Sequence, residues 1–140
     1  MRRIGVFQTI IGGGLTVANS TVATAIDVRD YRNCVIQMAT TGTVDLKVYF
    51  KGAVGEIAPN FGATRSRANP WEYIDVADLQ DGASIDGDTG IALSSAQTYN
   101  NVRMVEININ ALDWLAVHQT VITTGAANAL FVAGTFTTNQ

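Results

Sequence analysis

The stretch 44-VDLKVYFK-51 decides the fold: Val44, Leu46, Val48 and Phe50 fall on one face of an extended chain, and Asp45, Lys47, Tyr49 and Lys51 on the other. That alternation is what a half-buried strand requires. The same period recurs in 102-VRMVEININA-111, where Val105, Ile107 and Ile109 alternate with Glu106, Asn108 and Asn110. It recurs again in 22-VATAIDV-28 and 34-CVIQM-38. Further strand candidates are 71-WEYIDV-76, 91-IALS-94, 114-WLAVHQTVIT-123 and 129-ALFVAGTF-136, the last two reading as a terminal hairpin closed by 124-TGAAN-128. No segment carries a sustained apolar stripe at helical spacing.

Turn signals separate the runs, at Thr41-Gly42, Lys51-Gly52, Asp81-Gly82, Asp86-Gly87 and Thr124-Gly125. Short strands at this spacing predict an all-β fold, an antiparallel β-sandwich or jelly roll. Val44, Leu46, Val48, Phe50, Val105, Ile107 and Ile109 are expected to point inward. The 140 residues suit one such domain over 15–140. Ahead of it, 1–14 reads as a strand or extended arm ending at a Gly12-Gly13-Gly14 hinge. The arm's apolar residues Ile4, Val6, Phe7, Ile10 and Ile11 occupy both faces of an extended chain, so burial against a neighbouring subunit is expected.

The acidic stretch 78-DLQDGASIDGDTG-90 poses a chemical question, because four aspartates stand among glycines. An EF-hand loop needs alternating oxygen ligands and a closing glutamate. With Asp86 first, Gly90 and Gln97 occupy ligand positions; with Asp81 first, Ala83 does. The spacing therefore reads as turns, in which Asp bonds nearby backbone and Gly supplies positive φ. No metal site is assigned.

Other chemistry is equally sparse. His118 is the sole histidine and lies in an apolar run, and Cys34 is the sole cysteine and sits in another. A Cys/His zinc site within one chain is thereby excluded. No nucleophile elbow, phosphate loop or dinucleotide fingerprint occurs, so no catalytic or cofactor-binding residue is assigned and the chain is read as non-enzymatic. The nine basic residues form no run and the net charge is −3, a balance that favours neither nucleic acid nor a membrane surface. The N-terminal apolar stretch is interrupted by Gln8 and Thr9 and is too short to span a bilayer.

Two features point to partners instead. The polar region 55-GEIAPNFGATRSRANP-70 is longer than an ordinary hairpin loop, and its Phe61, Arg65 and Arg67, with the adjacent Trp71, are candidate contacts. Sparse charge beside abundant Thr, Asn, Ala and Gly suits surfaces buried against neighbours, so a homo-oligomer, a trimer or dimer, is expected.

The segments 46-LKVYFKGAV-54, 70-PWEYIDVADLQDGASIDGDTGIAL-93, 101-NVRMVEINI-109 and 130-LFVAGTF-136 resemble small β-sandwich virion accessory proteins of tailed bacteriophages, the class of capsid decoration or cement proteins. The resemblance implies a structural protein on the capsid exterior, with the major capsid protein or another virion protein as partner. A tail or neck component is an alternative within that class. A carbohydrate-binding module, with Trp71 and Tyr73 as its stacking surface, is an alternative outside it.

Overall fold

The period-two segments become strands in a computed structural model, which describes residues 5–16, 20–22, 25–40, 45–94, 102–124 and 129–138. Every regular element among them is a strand: β1 (Gly5–Thr16), β2 (Ser20–Val22), β3 (Ile26–Asp27), β4 (Asn33–Thr40), β5 (Asp45–Ala53) and β6 (Glu72–Tyr73), followed by β7 (Val76–Asp78), β8 (Ser84–Ile85), β9 (Ile91–Ser94), β10 (Val102–Asn108), β11 (Trp114–Thr124) and β12 (Ala129–Thr137). One sheet has the order β1-β12-β4-β10-β7-β8; the other has β2-β11-β5-β6, with β3 also on β11 and β9 also on β5. All pairings are antiparallel.

The pairings are nested. β1 lies on β12, β2 on β11, β4 on β10 and β5 on β9. This winding pairs the first strands with the last across two sheets, and the expectation of an all-β antiparallel sandwich is met.

Between the sheets lies one core. The first sheet contributes Cys34, Ile36, Met38, Val105, Ile107, Val132 and Phe136; the second contributes Leu46, Val48, Phe50, Ile91, Leu93, Leu115 and Val117. Of the seven residues expected to point inward, Leu46, Val48, Phe50, Val105, Ile107 and Ile109 are buried, and Val44 lies outside the described residues. Each fully buried aliphatic or aromatic side chain contributes roughly 1.5–3 kcal/mol, which explains why the alternation governs register. A one-residue slip would turn each whole set to water.

Several local readings are corrected. The run 114–136 is not a hairpin, because β11 pairs with β5 and β12 pairs with β4, in opposite sheets. Both strands carry an inward apolar set, so the chain crosses the sandwich between them and covers the core from both sides. The run 71–76 is likewise split: β6 joins one sheet and β7 the other. The run 22–28 is interrupted on β11, since Val22 faces His118 and Ile26 faces Leu115.

Gly12, Gly13 and Gly14 are not a hinge at the end of an arm. β1 runs through them to Thr16, paired along β12 from Gly5↔Thr137 to Thr16↔Ala129. The register shifts between Thr9 and Ile11 and again between Ile11 and Leu15, so the glycines lie in an irregular stretch of an edge strand. Bulges of this kind make an edge a poor template for indiscriminate pairing.

Candidate functional site

The long loop after β5 is the most organised irregular segment. Its base is fixed where Gly55 N–H donates to Asp113 Oδ2 at 2.6 Å and the Trp114 indole N–H donates to the Gly55 carbonyl at 2.9 Å. Gly55 has φ of 141°, backbone that a side chain would strain. Asn69 ties the middle: its Oδ1 accepts from Asn60 N–H at 2.8 Å, and its Nδ2 donates to the carbonyls of Asn60 (2.8 Å) and Thr64 (3.2 Å). Ser66 and Asn69 exchange two backbone hydrogen bonds of 3.1 Å.

Under this loop lies a second, smaller apolar cluster on the outer face of the β5–β11 sheet. It contains Ala53, Phe61, Trp71 and Ala116, with Tyr73 and Trp114 at its margin. A cation is enclosed with them. Lys51, only 3% exposed, donates from Nζ to the Phe61 carbonyl at 2.9 Å and stands 4.0 Å from the centre of the Trp71 ring and 5.5 Å from that of Tyr73. The Trp71 and Tyr73 rings meet edge to face at 5.0 Å, and the Trp71 N–H donates to the Ala63 carbonyl at 3.0 Å. Burial holds the Lys51 pKa below the ordinary lysine value, and burial together with the Lys51 charge lowers that of His118. Alternation along 44–51 puts Lys51 on the outward face, where a lysine is ordinarily solvated.

The loop therefore sorts the contact residues expected from the sequence. Phe61 and Trp71, 4% and 9% exposed, pack within their own chain. Trp71 has a lysine over one ring and Arg65 at 5.7 Å, so it offers no open face for a sugar to stack on. Arg65 pairs with Glu72 and is exposed, as is Arg67. Missed by the sequence reading are Val54 and Ile57, 69% and 85% exposed on the pinned loop. The signal was present in 54-VGEIAP-59, two branched apolar residues in a stretch with no alternation to bury them.

The aspartate–glycine stretch forms connectors. Asp78 and Asp81 each accept from the backbone two residues on, at Gln80 N (3.0 Å) and Ala83 N (2.9 Å). Gly82 and Gly90 have φ of 75° and 78°, where glycine is the residue without steric cost. Asp75 Oδ1 receives Gly87 N–H at 2.7 Å, which fixes the passage between the sheets. Beside this connector, Arg65, Glu72, Tyr73, Asp75, Asp86 and Asp88 border an open polar cleft of about 260 Å³. No group of three or more His, Cys, Asp or Glu among the described residues is placed to hold a metal ion.

A third region faces outward from the other sheet. Phe131, Ala39 and Val102 lie across one row, and Ala133, Gln37 and Met104 across the next. Val102, Met104 and Phe131 are exposed, and Leu79, whose N–H donates to the Met104 carbonyl at 3.1 Å, extends the apolar surface. Leu79, Val102 and Met104 line a groove of about 300 Å³. Arg103 in its wall donates to Asp78 Oδ2 at 2.6 Å and to the Ala92 carbonyl at 3.2 Å. Of the N-terminal contact candidates, Val6, Phe7, Ile10 and Ile11 belong to β1, their side chains lying outside the described residues, as does Ile4 altogether.

No family model matches the sequence, and a sequence comparison with curated proteins returns no match. Among solved structures the chain is similar to the SPBc2 prophage-derived protein YomS, with TM-score 0.67 and 9% identity over 99% of this chain and 96% of that one. It is also similar to the PBSX exported protein XepA, with TM-score 0.65 and 12% identity over 99% of this chain. That match covers 39% of XepA, so the chain spans well under half of its length. At such identities the likeness is one of fold.

Proposed function

We propose that this chain is a non-enzymatic structural protein of a tailed-phage virion, a decoration or cement protein that attaches to the capsid exterior as a homo-oligomer. The observation that carries the reading is the end-to-end fold similarity to YomS, a prophage-derived protein of nearly the same extent. The surface supports it independently. The outer face of the β1–β12–β4–β10 sheet presents Phe131, Ala39, Val102, Ala133, Gln37 and Met104, with Glu106 as its charged neighbour. A sheet face so poor in charge suits burial against another protein better than lasting solvation.

The partner is the major capsid protein or another virion protein, and the mechanism is mass action. A ligand that binds the assembled shell and not its dissociated subunits shifts the equilibrium toward assembly. Co-sedimentation with emptied capsids of the cognate phage tests the reading. Saturable binding, together with a raised shell-disruption temperature, is expected. Absence of binding to capsids, with recovery on isolated tails, would transfer the protein to the tail or neck.

A further inference from the structure

We infer that Asp81 is a site of spontaneous backbone modification: in the folded protein the Asp81–Gly82 peptide cyclises to a succinimide and reopens as isoaspartate, while the identical pair Asp86–Gly87 is kept intact by its surroundings. The inference concerns the chain's own chemistry and stands apart from virion attachment.

The reaction needs no enzyme and no reagent but water. The Gly82 amide nitrogen loses its proton and bonds to Asp81 Cγ, and one carboxyl oxygen leaves as water, with no change in oxidation state. Water then opens the imide ring. Cleavage of the new N–Cγ bond restores aspartate, whereas cleavage of the original peptide bond leaves the main chain running through the side chain, one methylene longer. Glycine favours the attack because no side chain shields the nitrogen. Asp81–Gly82 and Asp86–Gly87 are the Asp-Gly pairs of the sequence, which contains no Asn-Gly.

The first pair has room to react. Asp81, Gly82 and Ala83 are exposed, and a Cβ placed on Gly82 would meet no atom within 4 Å. Ring closure requires the peptide to rotate, and nothing is packed there to resist it. Asp81 Oδ1 accepts from Ala83 N–H at 2.9 Å, which folds the carboxyl back over the following peptide, toward the Gly82 nitrogen. Gly82 N–H itself donates to the Asp78 carbonyl at 2.7 Å. That bond closes an exposed turn leading into the edge strand β8, where local opening costs least.

The second pair is held at both ends of its peptide. Gly87 is buried, its N–H donates to Asp75 Oδ1 at 2.7 Å, and a Cβ there would stand 2.8 Å from the backbone N and C of Ile74. The Asp86 carbonyl accepts from Thr89 N–H at 3.0 Å and from Gly90 N–H at 3.3 Å. To cyclise, this peptide must first leave Asp75 and the Ile74 backbone, in the connector that carries the chain from one sheet to the other. Two chemically equal pairs therefore have unequal fates in the folded protein.

Prolonged incubation of the full chain in mildly acidic buffer, with circular dichroism to verify that it stays folded, tests this. Protein isoaspartyl methyltransferase with labelled S-adenosylmethionine counts the isoaspartate formed, and electron-transfer fragmentation of the tryptic peptide 68–103, which contains both pairs, locates it. Isoaspartate at 81 is expected to accumulate at least about tenfold faster than at 86. Asp81→Glu, whose longer side chain would have to close a larger ring, should remove most of the methylation, and Asp86→Glu should leave it unchanged. In urea the two pairs should convert at comparable rates, which separates the effect of the fold from that of the dipeptide. Equal rates in the folded protein, faster conversion at 86, or conversion of neither pair until urea is added overturns the inference. So does a preference for 81 that persists undiminished in urea, since flanking residues rather than the fold would then select the site.

Discussion

The Lys51 ammonium stands 4.0 Å from the centre of the Trp71 indole, enclosed between a sheet and the loop that covers it. A charge this deeply buried is costly unless compensated. Its compensation here is one carbonyl and two aromatic faces, with no carboxylate paired to it among the described residues. The ammonium thereby joins β5 to Phe61 in the middle of the loop and to Trp71 at its end.

Charge and volume at Lys51 can be separated. Lys51→Ala removes both and is expected to cost about 2–4 kcal/mol, from the cavity and the unpaired Phe61 carbonyl. Lys51→Met keeps most of the volume without the buried charge, and should stay within about 1 kcal/mol of wild type. Urea denaturation of the three proteins measures both; equal losses would show that packing contributes little.

His118 makes stability depend on pH. Its folded pKa is lowered, so between that value and the unfolded value of about 6.5 the unfolded chain binds more protons. The His118 contribution is complete above about pH 6.5 and is lost as the pH falls through the folded pKa. Stability of the wild type should decline on acidification across that window, and His118→Gln should flatten the decline. Since the Lys51 charge is one cause of the shift, Lys51→Met should raise the His118 pKa, read from the single histidine resonance by NMR.

Gly134 lies on β12 between the inward Val132 and Phe136, where an added Cβ would come within 2.5 Å of Ile36 Cδ1 and 2.8 Å of the Val35 carbonyl oxygen. The isoleucine can move; the backbone oxygen of a central strand cannot do so freely. Gly134→Ala should therefore destabilise the protein by about 1–3 kcal/mol by overpacking, measured by thermal or chemical denaturation. A neutral outcome would mean that β4 and β12 separate more easily than their continuous ladder implies.

Cys34 should be inert in the native state. It is fully buried, and burial pushes its thiol pKa up to about 12. Labelling with a thiol reagent at pH 8 is expected to proceed only through unfolding, and to become fast in denaturant. Rapid native labelling would place local opening at β4, in the middle of the first sheet.

Alternation made the main core legible, because on β5 and β10 it has a single physical cause: one face of each strand meets the opposite sheet. It could not reveal that Ala116 and Lys51, on outward faces, are buried too. That burial comes from a loop folding back, and loop trajectory leaves no periodic trace. The false hairpin at 114–136 has a related origin. A connection between two strands looks alike whether they pair or cross between sheets, and only the partners β5 and β4 distinguish the cases. The loop over 55–70 drew attention as a contact region by its length, yet Phe61 is used internally and Arg65 pairs with Glu72, while Ile57 is an apolar side chain left outside.

Nested pairing also bears on how the molecule is made. Gly5 finds its partner in Thr137 and Thr16 in Ala129, so β1 waits for nearly the whole described chain before its ladder can form. Such distant partners give a high contact order and slow closure. During synthesis β1, β2 and β4 have no partner until the ribosome delivers β10, β11 and β12, so the first strands made are the last to be paired.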